Sequence, residues 1–219
     1  PTLPLARSYT KQSHVPLTSA VMTANVEEQI SQGLEAHVLL TSDKPLIDRL
    51  TARGVTDISA TTRYAQARLA LVTTRKSETN GHYSKHISFA AMIYATQHLP
   101  VFMEPAKSDA GTRSATLLNG YEFSDALTQR AKTMPSHTEL LAALRKNDGL
   151  ALMLTSDAAA EPDLIVLSTL PDSLSAPVPF YAVVIASELM DESRAFVQFL
   201  GSSTAQQIYR KTGFDAEEK

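Results

Sequence analysis

The stretch "MEPAKSDAGTRSATLL", Met103 to Leu118, passes from an apolar strand-like run into a small polar loop and then into a helical pattern. Ser108 and Asp109 are helix-capping types, while Ala110 and Gly111 add almost no side-chain bulk. Small residues at a helix start leave backbone N–H groups open to an anion, so the loop reads either as a tight turn or as an anion-binding helix start. His82 and His86 in "GHYSKH" have the helical spacing of metal ligands, but the polar loop around them offers no third ligand, and a zinc site is not expected. Serine and aspartate are plentiful, yet the chain has no nucleophile-elbow sequence and no phosphate-cradling glycine loop. Catalysis has no support in these residues, and the chain is not expected to be an enzyme.

The elements that must position this loop alternate between strand and helix. "HVPLTSA" and "EAHVLLT" read as strands flanking the helix "NVEEQISQG", in which Val26 and Ile30 share a face and Gly33 follows the end. "SDKPLIDRLTARG" repeats the helix grammar, with Ser42 or Asp43 as cap, Pro45 in the first turn and Gly54 as the stop. Then come the strand "ARLALVTT", a polar loop from Arg75 to Lys85, the helix "ISFAAMIYATQHL" and the strand "PVFME". "SHTELLAALRKNDG" opens with Ser136 and Glu139 in capping-box spacing and stops at Gly149. The strands "LALML" and "DLIVLSTL", a proline-rich stretch, the strand "SAPVPFYAVVIAS" and two helices complete the chain. This alternation predicts an α/β protein with mostly parallel sheets and helices on both faces. Two groups of strand–helix units, bounded by the strands near Leu69 to Thr73 and Phe180 to Ile185, predict two lobes. Residues 1–74 would begin lobe one, 75–178 would form lobe two, and 179–219 would return to lobe one, with ligand held in a cleft between the lobes.

Composition excludes several other classes. A chain of 219 residues with 43% hydrophobic content can bury a proper core without disulfides. No window approaches the roughly 18 consecutive apolar residues of a membrane helix. A formal net charge of −3, with both signs scattered, offers no basic stripe for nucleic acid. The absence of cysteine excludes thiolate chemistry and suits an exported bacterial protein as well as many cytosolic ones. Nothing at Pro1 has the form of a signal peptide, so any export signal is expected to have been removed from this chain.

The segments "NVEEQISQGLEAHVLLTSDKPLIDRLTARG", "ARLALVTTRK", "MEPAKSDAGTRSATLL", "GLALMLTSDA", "STLPDSLSAPVPFYAVVIAS" and "ESRAFVQFLGSSTAQQIYRKTGF" resemble, in order and spacing, periplasmic molybdate-binding proteins. These are the substrate-binding components of molybdate ABC transporters. The resemblance runs from about Ala6 to Phe214, with "AQQIYRKTGF" among its more specific parts. It implies a two-lobed type II periplasmic binding protein fold that closes on one oxyanion, molybdate or tungstate first, with no metal ion and no cofactor. It also implies a periplasmic or other extracytoplasmic location, a membrane permease as partner, no nucleic acid, and a monomer. A ligand-sensing domain of the same fold in a transcription regulator is the main alternative, and a diverged binding protein with another anionic ligand is a further one.

Family members hold the anion through hydroxyls, helix-start amides and a tyrosine, donors that stabilise a desolvated dianion at fixed geometry. By this resemblance Thr23 takes the place of a ligand-binding serine, and Ala110, with Gly111 beside it, supplies the backbone donor of lobe two. Thr138 occupies a further backbone-donor position. Arg113 is read as a solvated arginine on the helix face near the pocket. The chain also departs from the family. Its first strand and serine-bearing loop are missing, Leu154 stands at the tyrosine position, and His37 stands where the family usually has aspartate. At about 1.5 to 3 kcal/mol for each hydrogen bond to a charged group, two lost donors weaken binding by roughly two to four orders of magnitude. Either the N-terminal strand lies upstream of this chain, or the protein takes a different ligand.

Overall fold

The computed structural model describes residues 2–21, 25–80, 88–119, 121–186 and 188–216. In chain order the elements are α1 (Thr2–Ser13), α2 (Val26–Ser31), β1 (Val38–Thr41), α3 (Lys44–Ala52), β2 (Thr56–Ala67), β3 (Leu69–Thr74) and α4 (Arg75–Asn80). Next come α5 (Phe89–Ala95), β4 (Val101–Met103), α6 (Asp109–Leu117), α7 (Ser124–Thr128), β5 (Ala131–Thr133), α8 (His137–Asn147) and β6 (Leu150–Leu154). The chain continues through α9 (Thr155–Ala160), β7 (Leu164–Thr169), β8 (Val178–Ile185), α10 (Met190–Leu200), α11 (Ser203–Lys211) and β9 (Asp215–Ala216). It forms two compact units, Pro1–Gln66 with Pro179–Lys219, and Ala67–Val178.

The first unit carries a sheet of order β1-β8-β2-β9, with β1 antiparallel to β8 and β2 antiparallel to β9. The C-terminal motif is structural. Ala205 and Tyr209 are fully buried on α11, and the Tyr209 hydroxyl donates to the Leu200 carbonyl at 2.9 Å. The Tyr209 ring lies 5.6 Å from that of Tyr64, while Phe214 meets Phe180 edge to face at 5.0 Å. On α1, Tyr9 packs against Phe196 and Phe199 of α10 at 5.2 and 5.3 Å. A second cluster joins Ile30, Leu46, Leu50 and Ile185, with Val26, Ala36, Leu39 and Val55 around it. Asp43 caps α3 by accepting from the Leu46 N–H at 2.9 Å.

The second unit carries a sheet of order β5-β4-β6-β3-β7. Strand β4 is parallel to β5 and β6, whereas β3 is antiparallel to β6 and β7, so four of the five strands run the same way. Every residue of β3 and β6 is buried, which accounts for their unbroken apolar runs. Ala70, Val72, Phe102, Leu140, Leu144, Ala151 and Met153 lie in one core cluster. Asp148, in the left-handed region at φ 45°, ends α8 one residue before the expected stop at Gly149. Gly149 serves packing instead, because a Cβ there would lie 2.8 Å from the Phe102 ring and 2.9 Å from the Pro100 carbonyl.

Several expectations are corrected. Alternation predicts mostly parallel sheets, as four of the second unit's five strands are, but β3 there runs against them, and the β1–β8 and β2–β9 pairs of the first unit are antiparallel. No helical crossover within the second unit precedes β3, so the rule that makes crossover-linked strands parallel does not set its direction. Strand β3, assigned from sequence to lobe one, ladders inside the second unit, and the first unit's N-terminal segment ends at Gln66. "HVPLTSA" forms no strand: Pro16 lacks a donor, and none of its residues is buried. The loop expected from Arg75 begins as helix α4, capped by the Thr74 hydroxyl, which accepts from the Ser77 N–H at 3.1 Å.

Candidate functional site

Because β5, β4 and β6 run in parallel, their carboxyl ends share one edge of the second unit's sheet. Helices α6, α8 and α9 begin just beyond those ends, the usual place for a ligand in an α/β unit. The small loop that introduces α6 is organised by Ser108. Its hydroxyl donates to the Pro105 carbonyl at 2.8 Å and accepts from the Gly111 N–H at 2.9 Å. A Cβ on Gly111 would fall 1.9 Å from the Pro105 carbonyl oxygen. Glycine is therefore required by the loop's own backbone, and its N–H is committed to the cap. Ala110, beside it in the first turn, is buried.

At α8, the Ser136 hydroxyl accepts from the Glu139 N–H at 3.2 Å, and Thr138 lies exposed in the first turn. Leu154 ends β6 opposite Leu69, is buried, and brings no polar atom to the start of α9. Ala110, Gly111, Thr138 and Leu154 thus belong to elements that meet at this edge. Thr23 lies outside the described residues, as do His82 and His86. Arg113 is not simply solvated: its guanidinium donates to the Ala176 carbonyl at 2.5 Å and to that of Pro177 at 3.4 Å.

Sequence reasoning missed the charged groups at this edge. Glu104, directly after β4, is 4% exposed, and its Oε1 lies 2.5 Å from Nδ1 of His137 at the start of α8. That bond raises the His137 pKa above its ordinary value against desolvation, and the charges of Glu104, Asp157 and Glu161 push the same way. Burial pushes Asp157, in the first turn of α9, up to about 6; His137 opposes this, and Glu104 and Asp109 reinforce it. The available signal was an acid placed straight after the apolar run "VFM", where a strand enters the loop. Chemically, the helix starts offer amides, but the chain's own carboxylates already complement their dipoles. Among the described residues, no group of three or more His, Cys, Asp or Glu could hold a metal ion.

The chain thus has two α/β units, each with its own sheet, and in the second unit three helices start beyond the ends of parallel strands. The chain matches the bacterial extracellular solute-binding protein family over residues 3–215, and it belongs to that family. The family is one of binding proteins rather than enzymes. A search of curated proteins finds no match. Among solved structures, the chain is similar to a Clostridium difficile substrate-binding domain whose name assigns it to a molybdenum ABC transporter. The two share 17% identity at a TM-score of 0.81, over 99% of this chain and 93% of that one. The Azotobacter vinelandii periplasmic molybdate-binding protein follows at 16% identity and a TM-score of 0.73, over 99% and 94% of the two chains. The tungstate-binding protein TupA of Desulfovibrio alaskensis gives 15% identity and a TM-score of 0.64, over 98% and 92%. These likenesses establish the fold.

Proposed function

We propose that the chain captures a small oxyanion outside the cytoplasm and delivers it to the permease of an ABC transporter. The observation that carries this reading is the convergence of α6, α8 and α9 at the carboxyl ends of β4, β5 and β6. Amides near Ala110 and Thr138 would serve as the second unit's donors, and the Thr23 hydroxyl as the first unit's. Membership of the solute-binding family supports a small solute and a transporter partner, and the molybdate- and tungstate-binding neighbours support those two anions as first candidates. The test is calorimetric titration of the mature protein with molybdate, tungstate, sulfate and phosphate. Saturable heat with at least one of them is expected, with molybdate weak because Leu154 offers no hydroxyl. No heat with any of the four would overturn the reading.

A further inference from the structure

We propose that Glu104, His137 and Asp157 make the edge formed by α6, α8 and α9 a proton-operated switch, which takes up protons on mild acidification and so becomes more receptive to an anion. The inference rests on the oxyanion reading above, whose site it regulates. Its geometry comes from three separate elements. Glu104 extends from β4 into a buried position, His137 opens α8 and holds the Glu104 carboxylate at 2.5 Å, and Asp157 lies in the first turn of α9. The other charges acting on this group are Asp109 from the first turn of α6 and Glu161 just past α9. With His137 neutral and every carboxyl ionised, the group holds four negative charges, of which Glu161 is paired with a cation, Arg145 at 2.6 Å.

A dianion approaching that arrangement meets like charge at the helix starts where it would seek amides. Protonation of His137 places a cation at the head of α8 while leaving its bond to Glu104 in place. Protonation of Asp157 removes a carboxylate from the head of α9. Both groups hold their protons to higher pH than their ordinary values allow, because the Glu104 carboxylate favours the charged imidazole and burial disfavours the Asp157 carboxylate. The two events act in the same direction, each removing negative charge from the edge. Thermodynamic linkage then requires the converse, that a bound anion draws protons onto His137 and Asp157.

The test uses the full chain. Nuclear magnetic resonance should show the His137 imidazole and the Asp157 carboxyl both changing state between about pH 5 and 8, with the His137 midpoint falling in Glu104→Gln. Sulfate, which stays a dianion throughout this range, and molybdate should each bind about tenfold or more tightly at pH 5.5 than at pH 7.5, since one pKa unit of coupling is tenfold in affinity. The double variant His137→Gln with Asp157→Asn should flatten that dependence. Binding that is equal at the two pH values, or a dependence unchanged in the double variant, would overturn the switch while leaving the functional reading intact. A His137 and Asp157 that do not titrate in this window would also overturn it. Absence of anion binding at either pH would overturn the functional reading instead, with the resonance titration still deciding whether the cluster takes up protons.

Discussion

At the scale of single residues, Gly111 and Leu154 show opposite ways in which a small or apolar residue at a sheet edge can be read. Gly111 faces the Pro105 carbonyl so closely that no side chain fits. Gly111→Ala should destabilise the protein by about 1 to 3 kcal/mol or more, because the β4–α6 loop must shift to admit a methyl group. Urea unfolding measures this, and an unchanged midpoint would mean that the loop gives way freely. Leu154 is buried against the start of α9 and brings no donor. If the oxyanion reading holds, Leu154→Tyr should tighten molybdate binding roughly 10- to 100-fold, the equivalent of one hydrogen bond to a charged group. Submicromolar molybdate binding that is indifferent to this change would remove the donor count from the explanation. The small polar loop was legible in the sequence, whereas its reason was not: Pro105 lies six residues before Gly111, and only the folded backbone brings its carbonyl onto the glycine.

At the scale of elements, helix ends carry much of the polar chemistry. Arg130 gathers the carbonyls of Ile93, Thr96 and Leu99 at the end of α5, and also bonds the Ala126 carbonyl of α7. Replacing it with methionine keeps the stem but leaves those carbonyls without their donor, so Arg130→Met should cost about 3 kcal/mol in chemical unfolding. The starts of α8 and α9 predict a pH dependence of stability. His137 and Asp157 both have raised pKa values in the folded state, so the native chain holds more protons than the unfolded one across their window. The His137 contribution is complete below its ordinary value of 6.5 and is lost as pH rises through the raised one. The Asp157 burial penalty grows as pH rises from 3.8 to about 6. Thermal stability should therefore fall from pH 5 to pH 8, and Asp157→Asn should shrink the difference. Glu27 and Asp163, lowered by Arg49 and Arg145, act in the opposite sense only at lower pH, below the window in question, so they do not offset this trend.

At the scale of the whole molecule, the two units differ in how they use the chain. The second is continuous, from Ala67 to Val178, and all five of its strands lie within it. The first needs β8 and β9 from the C-terminal segment, with β8 between β1 and β2. A fragment of residues 67–178 should consequently unfold cooperatively when monitored by circular dichroism. A fragment of residues 1–66 should not, because removing β8 leaves β1 and β2 without a common partner. Cooperative unfolding of the shorter piece would show that its helices hold it together without the sheet.

The sequence by itself determined the α/β class, most of the helices with their Ser and Asp caps, and the family resemblance, because capping and hydrophobic periodicity are local properties. It also marked Ser108 and Ser136 as the caps of α6 and α8, whose first turns hold Ala110 and Thr138. Tertiary structure alone decided that β3 enters its sheet antiparallel and that "HVPLTSA" stays outside any ladder, since strand pairing depends on partners far away in sequence. It also decided the chemistry of the edge. Glu104 and His137 are separated by a helix pair and a strand in sequence, and they become a hydrogen-bonded pair only because β4 and β5 lie side by side in parallel, delivering both residues to the same end of the sheet.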